Sequence, residues 1–174
     1  MLTEQIKDAR QETIIRLARA AEFRDKETSA HIQRMSHISA ILARRMGLSE
    51  KYCEDILVAA PMHDVGKIGI PDSILQKPGK LDANEWEVMK THSAIGGRIL
   101  AGSNDPIIQL SAEVALAHHE KWDGSGYPEG LSGEEIPLSG RIVALADVFD
   151  ALCSKRCYKE AMTLEQVTSI IQEG

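Results

Sequence analysis

The chain reads as an all-α fold, a single helical bundle, on three observations. Apolar residues recur at intervals of three and four along most of its length, and pairs with helix-capping chemistry stand ahead of those stretches. No segment alternates apolar and polar residues with the period of a strand. At 174 residues, 43% hydrophobic and 26% charged, the chain is long enough to bury one core of ordinary size.

The first helix is expected over about residues 3 to 24, with Ile6, Ala9, Ile14, Leu17 and Ala21 on one face, packed on the core or leading to something upstream. Residues 1–24 therefore read as a leading helix or linker, and 25–174 as the domain proper. A second helix is expected from Asp25 to Met46, stopped by Gly47, a residue suited to a left-handed C-terminal position. Ser49 caps a third, which ends near His63. Asp82 with Glu85 opens one that runs through Leu100, and Asp105 ahead of Pro106 opens another that reaches His118 and His119. Pro137 to Leu152 reads as a further helix, and Thr163 with Gln166 caps the last, which stops at Gly174. Residues 120–137 are left as the longest irregular segment, where Gly124, Gly126, Gly130 and Gly133 permit turns closed to other residues.

Composition excludes several classes of function. A net charge of −6 without a basic stripe argues against a nucleic-acid polymer as partner. No apolar run reaches membrane length and the N-terminal stretch is charged, so no membrane association and a cytoplasmic location are expected. Cys53, Cys153 and Cys157 form no even framework and are expected to be reduced. Cys153 and Cys157 stand four apart, but without a second thiol pair they read as core or incidental residues.

The histidines carry the chemistry. At about 100° per residue, Glu27, His31, Met35, Ile38, Leu42 and Met46 fall in one stripe. His92 shares a stripe with Val88, Ile95 and Ile99, while His118 follows Val114, and Asp147 follows Val143, by one turn. His63 and Asp64 stand at the end of the third helix, where Pro61 and Gly66 break regular geometry. His37 lies about 120° off its stripe and reads as a surface residue. Each of these residues alone reads as an ordinary hydrogen-bonded core side chain. Together, five of the six histidines with Asp64, Asp147 and Glu27 point inward from separate elements. Burying so many polar groups unpaired would cost about 1–3 kcal/mol each. Divalent cations resolve that cost, and a nitrogen and oxygen donor set without thiolate suits iron, manganese, zinc, cobalt or nickel.

His63-Asp64 followed by Gly66-Lys67, then His92, the pair His118-His119, and Asp147 resembles the HD superfamily of metal-dependent phosphohydrolases. The stretches HDVGKIGIPDSIL and HHEKWDGSGYP narrow the resemblance to its HD-GYP branch, the cyclic di-GMP phosphodiesterases, over about Glu27 to Lys159. The resemblance implies an HD-domain-like helical bundle with a Gly-rich loop at Gly126-Tyr127-Pro128. It implies that His63, Asp64, His92, His118, His119 and Asp147 hold two divalent ions, iron or manganese by preference, and that Glu27 and His31 extend some members to a third. Lys67, Arg156 and Lys159 match residues that contact substrate phosphates. Cys157 stands where the family usually carries proline, and the sequence ends before the helix that usually closes such domains.

The implied reaction is hydrolysis of cyclic di-GMP to pGpG, with further cleavage to GMP left open. Two cations about 3.5–4 Å apart would supply a bridging hydroxide near neutral pH and offset charge on the phosphate. A carboxylate with two oxygens suits the bridge, so Asp64 is assigned there, with Lys67 beside it as a second catalytic residue. Adjacent His118 and His119 at a helix end are expected to diverge towards different cations. Arg156 suits a bidentate phosphate contact and Lys159 a point charge. Tyr127 and Trp122 offer rings on which a guanine could stack, and the loop around them is either a lip over the cations or a docking face. Cyclic GMP-AMP is the rival substrate. A cyclic dinucleotide receptor, or a scaffold engaging a diguanylate cyclase through the GYP loop, is the non-catalytic reading. An upstream receiver or sensor domain is an expectation of the family.

Overall fold

The computed structural model describes residues 2–24, 29–154 and 162–173. Eight α-helices lie among the described residues: α1 Leu2–Glu22, α2 Ser29–Arg45, α3 Glu50–Ala59, α4 Asp72–Leu75, α5 Ala83–Leu100, α6 Pro106–Ala117, α7 Leu138–Cys153 and α8 Leu164–Glu173. Among them there is no strand, only an isolated antiparallel bridge between Asp123 and Ser132. The all-α expectation holds. No helix of the described residues is long and apolar enough to cross a membrane.

Local capping chemistry places most boundaries where the sequence put them. The Ser49 side chain accepts from Tyr52 N at 3.2 Å, and Asp82 and Glu85 close a full capping box at the start of α5. The Asp105 carboxylate accepts from Ile107 N at 2.8 Å, with Pro106 in the first turn of α6. Thr163 and Gln166 exchange hydrogen bonds of 3.0 and 3.4 Å ahead of α8. Two ends differ. α3 stops at Ala59 and gives way to a 3₁₀ turn, Ala60–Met62, because Pro61 has no N–H to continue the α ladder. α6 stops at Ala117, where Glu120 N returns to Ala117 O at 3.0 Å, so His118 and His119 follow the helix rather than belong to it. A second 3₁₀ turn, Val65–Gly69, and the short α4 lack a periodicity that sequence could show.

Three helices bury faces other than those expected. α1 packs through Ile14, Ala18 and Ala21, while Ile6 and Leu17 are exposed. α2 buries His31, Ile32, Met35, Ser36, Ser39 and Ala43 and leaves Met46 exposed. On α5 the buried face carries His92, Ser93, Gly96, Gly97 and Leu100, and Val88 and Ile99 face solvent. For α5 the cause is close backbone approach: a Cβ at Gly66 would fall 1.8 Å from His92 O and 2.5 Å from Gly96 N. Only small residues fit where the Val65–Gly69 turn meets α5.

Two clusters of apolar side chains share α6. One joins Ile14, Ala18 and Ala21 to Val58, Met62, Leu100 and Ile107; the other joins Met35, Cys53, Ile56, Val114, Ile142 and Val143. Cys53 is buried and unbridged, as expected, and Cys153 is also free; Cys157 lies outside the described residues. Between these clusters the ends of α3 and α6, the first turn of α2 and the middles of α5 and α7 turn their polar side chains towards one another.

Candidate metal centre

Each element delivers its ligand-type side chain by a simple device. α2 presents His31, the junction of the two 3₁₀ turns presents His63 and Asp64, α5 presents His92, the end of α6 presents His118 and His119, and α7 presents Asp147. His31, His63, Asp64, His92 and His118 are between 1% and 6% exposed. His37 lies on the surface, as its position on α2 requires. Glu27, Arg156 and Lys159 lie outside the described residues.

The hydrogen bonds fix how the rings are protonated. His63 Nδ1 lies 3.0 Å from Ala60 O, His92 Nδ1 lies 2.8 Å from Met89 O, and His118 Nδ1 lies 3.1 Å from Ala115 O. A carbonyl oxygen only accepts, so each Nδ1 carries a proton and each Nε2 is the nitrogen that points inward. Those inward nitrogens crowd one another and the Asp64 carboxylate. His92 Nε2 and His118 Nε2 are 3.4 Å apart, and Asp64 Oδ1 lies 3.2 Å from the first and 3.7 Å from the second. Asp64 Oδ2 lies 3.1 Å from His63 Nε2 and 2.8 Å from Lys67 Nζ. His63 Nε2 and Asp64 Oδ1, both fully buried, make no hydrogen bond. Acceptors facing acceptors in a dry interior are costly, and a divalent cation between them removes the cost.

The donors form two groups in which the ligand atoms lie within 4.8 Å of one another: Asp64, His92, His118 and His119, and His31, His63 and Asp147. Asp64 stands between them, with Oδ1 towards the first group and Oδ2 towards His63 of the second. His118 and His119 therefore converge on one group and do not diverge towards two. His118 keeps near-helical angles (φ −68°, ψ −13°), which leaves the two rings 4.0 Å apart on the same side.

Charge divides the imidazoles. Burial pulls the His63 pKa down, but the Asp64 charge, the contact with Asp64 and the Asp147 charge outweigh it and raise the value to about 9. Burial, reinforced by neighbouring imidazolium charge, lowers His119 to about 2, and burial also lowers His118. Burial would raise Asp147, but its bond to His31 and the charge of His63 bring it to about 2, so it is ionised. The sign of the consequence is fixed. His63 is raised in the folded state, so the stability it adds to the cation-free chain is full below about 6.5 and is lost as pH climbs through about 9. At pH 7 a cation must displace the proton from His63, and uptake should strengthen from pH 6.5 to 9. Calorimetric titration with Mn²⁺ in buffers of different ionisation enthalpy should show about one proton released per chain at pH 7. Release of none would contradict the assignment.

Sequence reasoning missed Glu120 and Asp150. Glu120 is 6% exposed, and its carboxylate accepts from Glu129 N at 2.7 Å and Leu131 N at 3.0 Å. Together with the bond from Tyr127 N to His119 O, 3.2 Å, it pins the GYP loop against the histidine pair. Gly126 supplies room rather than handedness: a Cβ there would sit 2.4 Å from Lys121 N and 2.6 Å from His119 O. Gly126→Ala should cost about 1–3 kcal/mol and lower Tm by roughly 3–10 °C, as read by thermal unfolding. An unchanged Tm would show that the loop has slack. Tyr127 stacks on His119 with ring centroids 4.7 Å apart, and Trp86, not Trp122, meets it edge-on at 6.4 Å. Trp122 instead lies 5.8 Å from the Arg141 guanidinium.

A helical bundle closed round a His-Asp dipeptide, with four further inward imidazoles and an inward aspartate on its seventh helix, defines an HD-type fold. The HD domain family matches residues 14–174, and the chain belongs to that family. Over 161 residues, 92% of the chain and 43% of the relative, it is 56% identical to the cyclic di-GMP phosphodiesterase response regulator RpfG of Xanthomonas campestris. It is 57% identical over 146 residues to a cyclic di-GMP phosphodiesterase of Thermotoga maritima, 84% of this chain and 40% of that one. It is also 51% identical over 166 residues to the 3'3'-cGAMP-specific phosphodiesterase 2 of Vibrio cholerae, 95% of this chain and 32% of that one. The chain thus spans less than half the length of these curated relatives.

Proposed function

We propose that the chain is the catalytic domain of a metal-dependent phosphodiesterase that hydrolyses cyclic di-GMP to pGpG and onward to GMP. The observation that carries this reading is the pair of inward donor groups with Asp64 between them. Two divalent cations would supply a water acidified to neutral pH and positive charge for the phosphate oxygens; the donor set suits iron, manganese, zinc, cobalt or nickel, and the family resemblance favours iron or manganese. His92, His118, His119 and Asp64 would hold one, and His31, His63 and Asp147 the second, with Asp64 standing between the two groups. Glu27, with His31, extends the set towards a third. Lys67, 2.8 Å from Asp64, orients that carboxylate and adds a cation for phosphate. Arg156 and Lys159 contact the phosphates, and Tyr127, stacked on His119, bounds the space for a base. Burial, then the charge of Asp64, raises the Tyr127 pKa, so the phenol stays neutral and can donate.

The domain comprises residues 25–174, with 1–24 as the helix leading from an upstream receiver or sensor domain, a reading supported by the response-regulator relative. It works in the cytoplasm. The exposed outer side of the loop at Asp123 and Glu129 suits a partner such as a diguanylate cyclase domain.

Metal-loaded chain, kept reduced, should convert cyclic di-GMP to pGpG and then GMP by product chromatography, with metal content measured on the same sample. Stoichiometric binding without product would turn the reading to a receptor. Faster turnover of 3'3'-cyclic GMP-AMP would reassign the substrate, a result that the 51% identical relative makes worth testing in parallel. Arg156→Ala should raise KM roughly 10- to 100-fold.

A further inference from the structure

A histidine that meets a cation through Nε2 needs its Nδ1 proton anchored, or the ring is free to present the wrong nitrogen. His63, His92 and His118 anchor theirs on backbone carbonyls, which no substitution removes. His31 is built differently. Its Nδ1 lies 2.7 Å from Asp150 Oδ2, and its Nε2 lies 3.3 Å from Asp147 Oδ1. The two aspartates stand three apart on α7, one turn of the same face, and clamp the ring between them.

Only one of those ring nitrogens carries a proton in the neutral imidazole. Asp150 is 3% exposed and receives Arg34 through both oxygens, Nε to Oδ1 at 2.6 Å and Nη2 to Oδ2 at 2.9 Å. Ser154 Oγ lies 2.9 Å from the same guanidinium nitrogen. An aspartate so held is committed to accepting, and its contact with His31 is the shorter of the two. The Nδ1 proton is therefore the one Asp150 accepts, and Nε2 is the nitrogen turned towards Asp147, 3.3 Å from its Oδ1.

We propose that Asp150, held and charged by Arg34, is a positioning residue that fixes His31 in the Nδ1–H form and so completes the cation group His31, His63 and Asp147. The proposal rests on the two-cation reading of the site.

The test titrates metal-free chain with Mn²⁺ alone and compares Asp150→Leu, Asp150→Asn and Arg34→Gln with the wild type. Wild type should take two ions. In Asp150→Leu the affinity of the second ion should fall about 10- to 100-fold, while the ion on Asp64, His92, His118 and His119 keeps its affinity. Asp150→Asn, which retains a carbonyl acceptor, should fall less than Asp150→Leu. ¹⁵N spectra of the metal-free wild type should show His31 protonated at Nδ1, and this signal should be lost or mixed in Asp150→Leu, which a merely structural role would not produce. Wild-type affinity for both ions in Asp150→Leu would overturn the positioning role. If that variant fails to fold, wild-type affinity in both Asp150→Asn and Arg34→Gln would overturn it equally. A wild-type chain that takes up fewer than two ions would sink the two-cation reading itself, and this role with it.

Discussion

Asp64→Ala should abolish hydrolysis and release both cations while the helical content measured by circular dichroism stays near wild type. Asp64 is the only side chain of the described site with an oxygen towards each donor group, 3.1 Å from His63 Nε2 on one side and 3.2 Å from His92 Nε2 on the other. Its loss removes an anionic donor from between the two groups and would leave five inward imidazoles and Asp147 to hold two dications without the charge between them. Burial would raise the Asp64 pKa, but His63 and Lys67 hold it well below the usual carboxylate range, so this donor is charged across the working pH range. We expect turnover to fall at least about a thousandfold, roughly 4 kcal/mol in barrier, with fewer than one ion per chain by elemental analysis. Asp64→Asn, which keeps the shape and loses the charge, should fall nearly as far. A variant that keeps two ions and wild-type turnover would remove Asp64 from the bridge.

The second large effect is structural. Gly66→Ala places a methyl 1.8 Å from His92 O, 2.8 Å from His92 C and 2.5 Å from Gly96 N. All three are backbone atoms of α5, and no rotamer change relieves them. The Val65–Gly69 turn and α5 must separate, which moves His63 and Asp64 away from His92. Denaturant unfolding should show a loss of more than about 3 kcal/mol, the range kept for core disruption, and the site should lose both ions. Stability within about 0.5 kcal/mol of wild type with cations retained would show that the turn and α5 are not in contact.

What the sequence made legible were interactions closed within a few residues or declared by residue type. Ser49, Asp82 with Glu85, Asp105 and Thr163 with Gln166 announce helix starts because the capping bond spans two or three positions. His63, Asp64, His92, His118 and Asp147 announce themselves because such side chains on inward positions need a common partner. The face of α5 was illegible from hydrophobicity, since its contact runs through Ser93, Gly96 and Gly97, which carry little apolar weight yet permit the closest approach. The same holds for α2, where Ser36, Ser39 and Ala43 share the buried face. The convergence of His118 and His119 depends on two backbone angles after α6 that residue identity does not specify. Glu120 and Asp150 were missed for another reason. Each anchors a neighbour of the site rather than facing it, and only the spacing of Asp147 with Asp150 and of His31 with Arg34 pointed to the second.

Anomalous diffraction at the manganese edge, from crystals of chain loaded with Mn²⁺, tests the central claim most directly. Two peaks are expected: one within about 2.0–2.3 Å of Asp64, His92, His118 and His119, the other at like distance from His31, His63, Asp147 and the second oxygen of Asp64. A well-resolved map of fully loaded protein with no peak at either group, the imidazoles and carboxylates bonded only to one another, would contradict it.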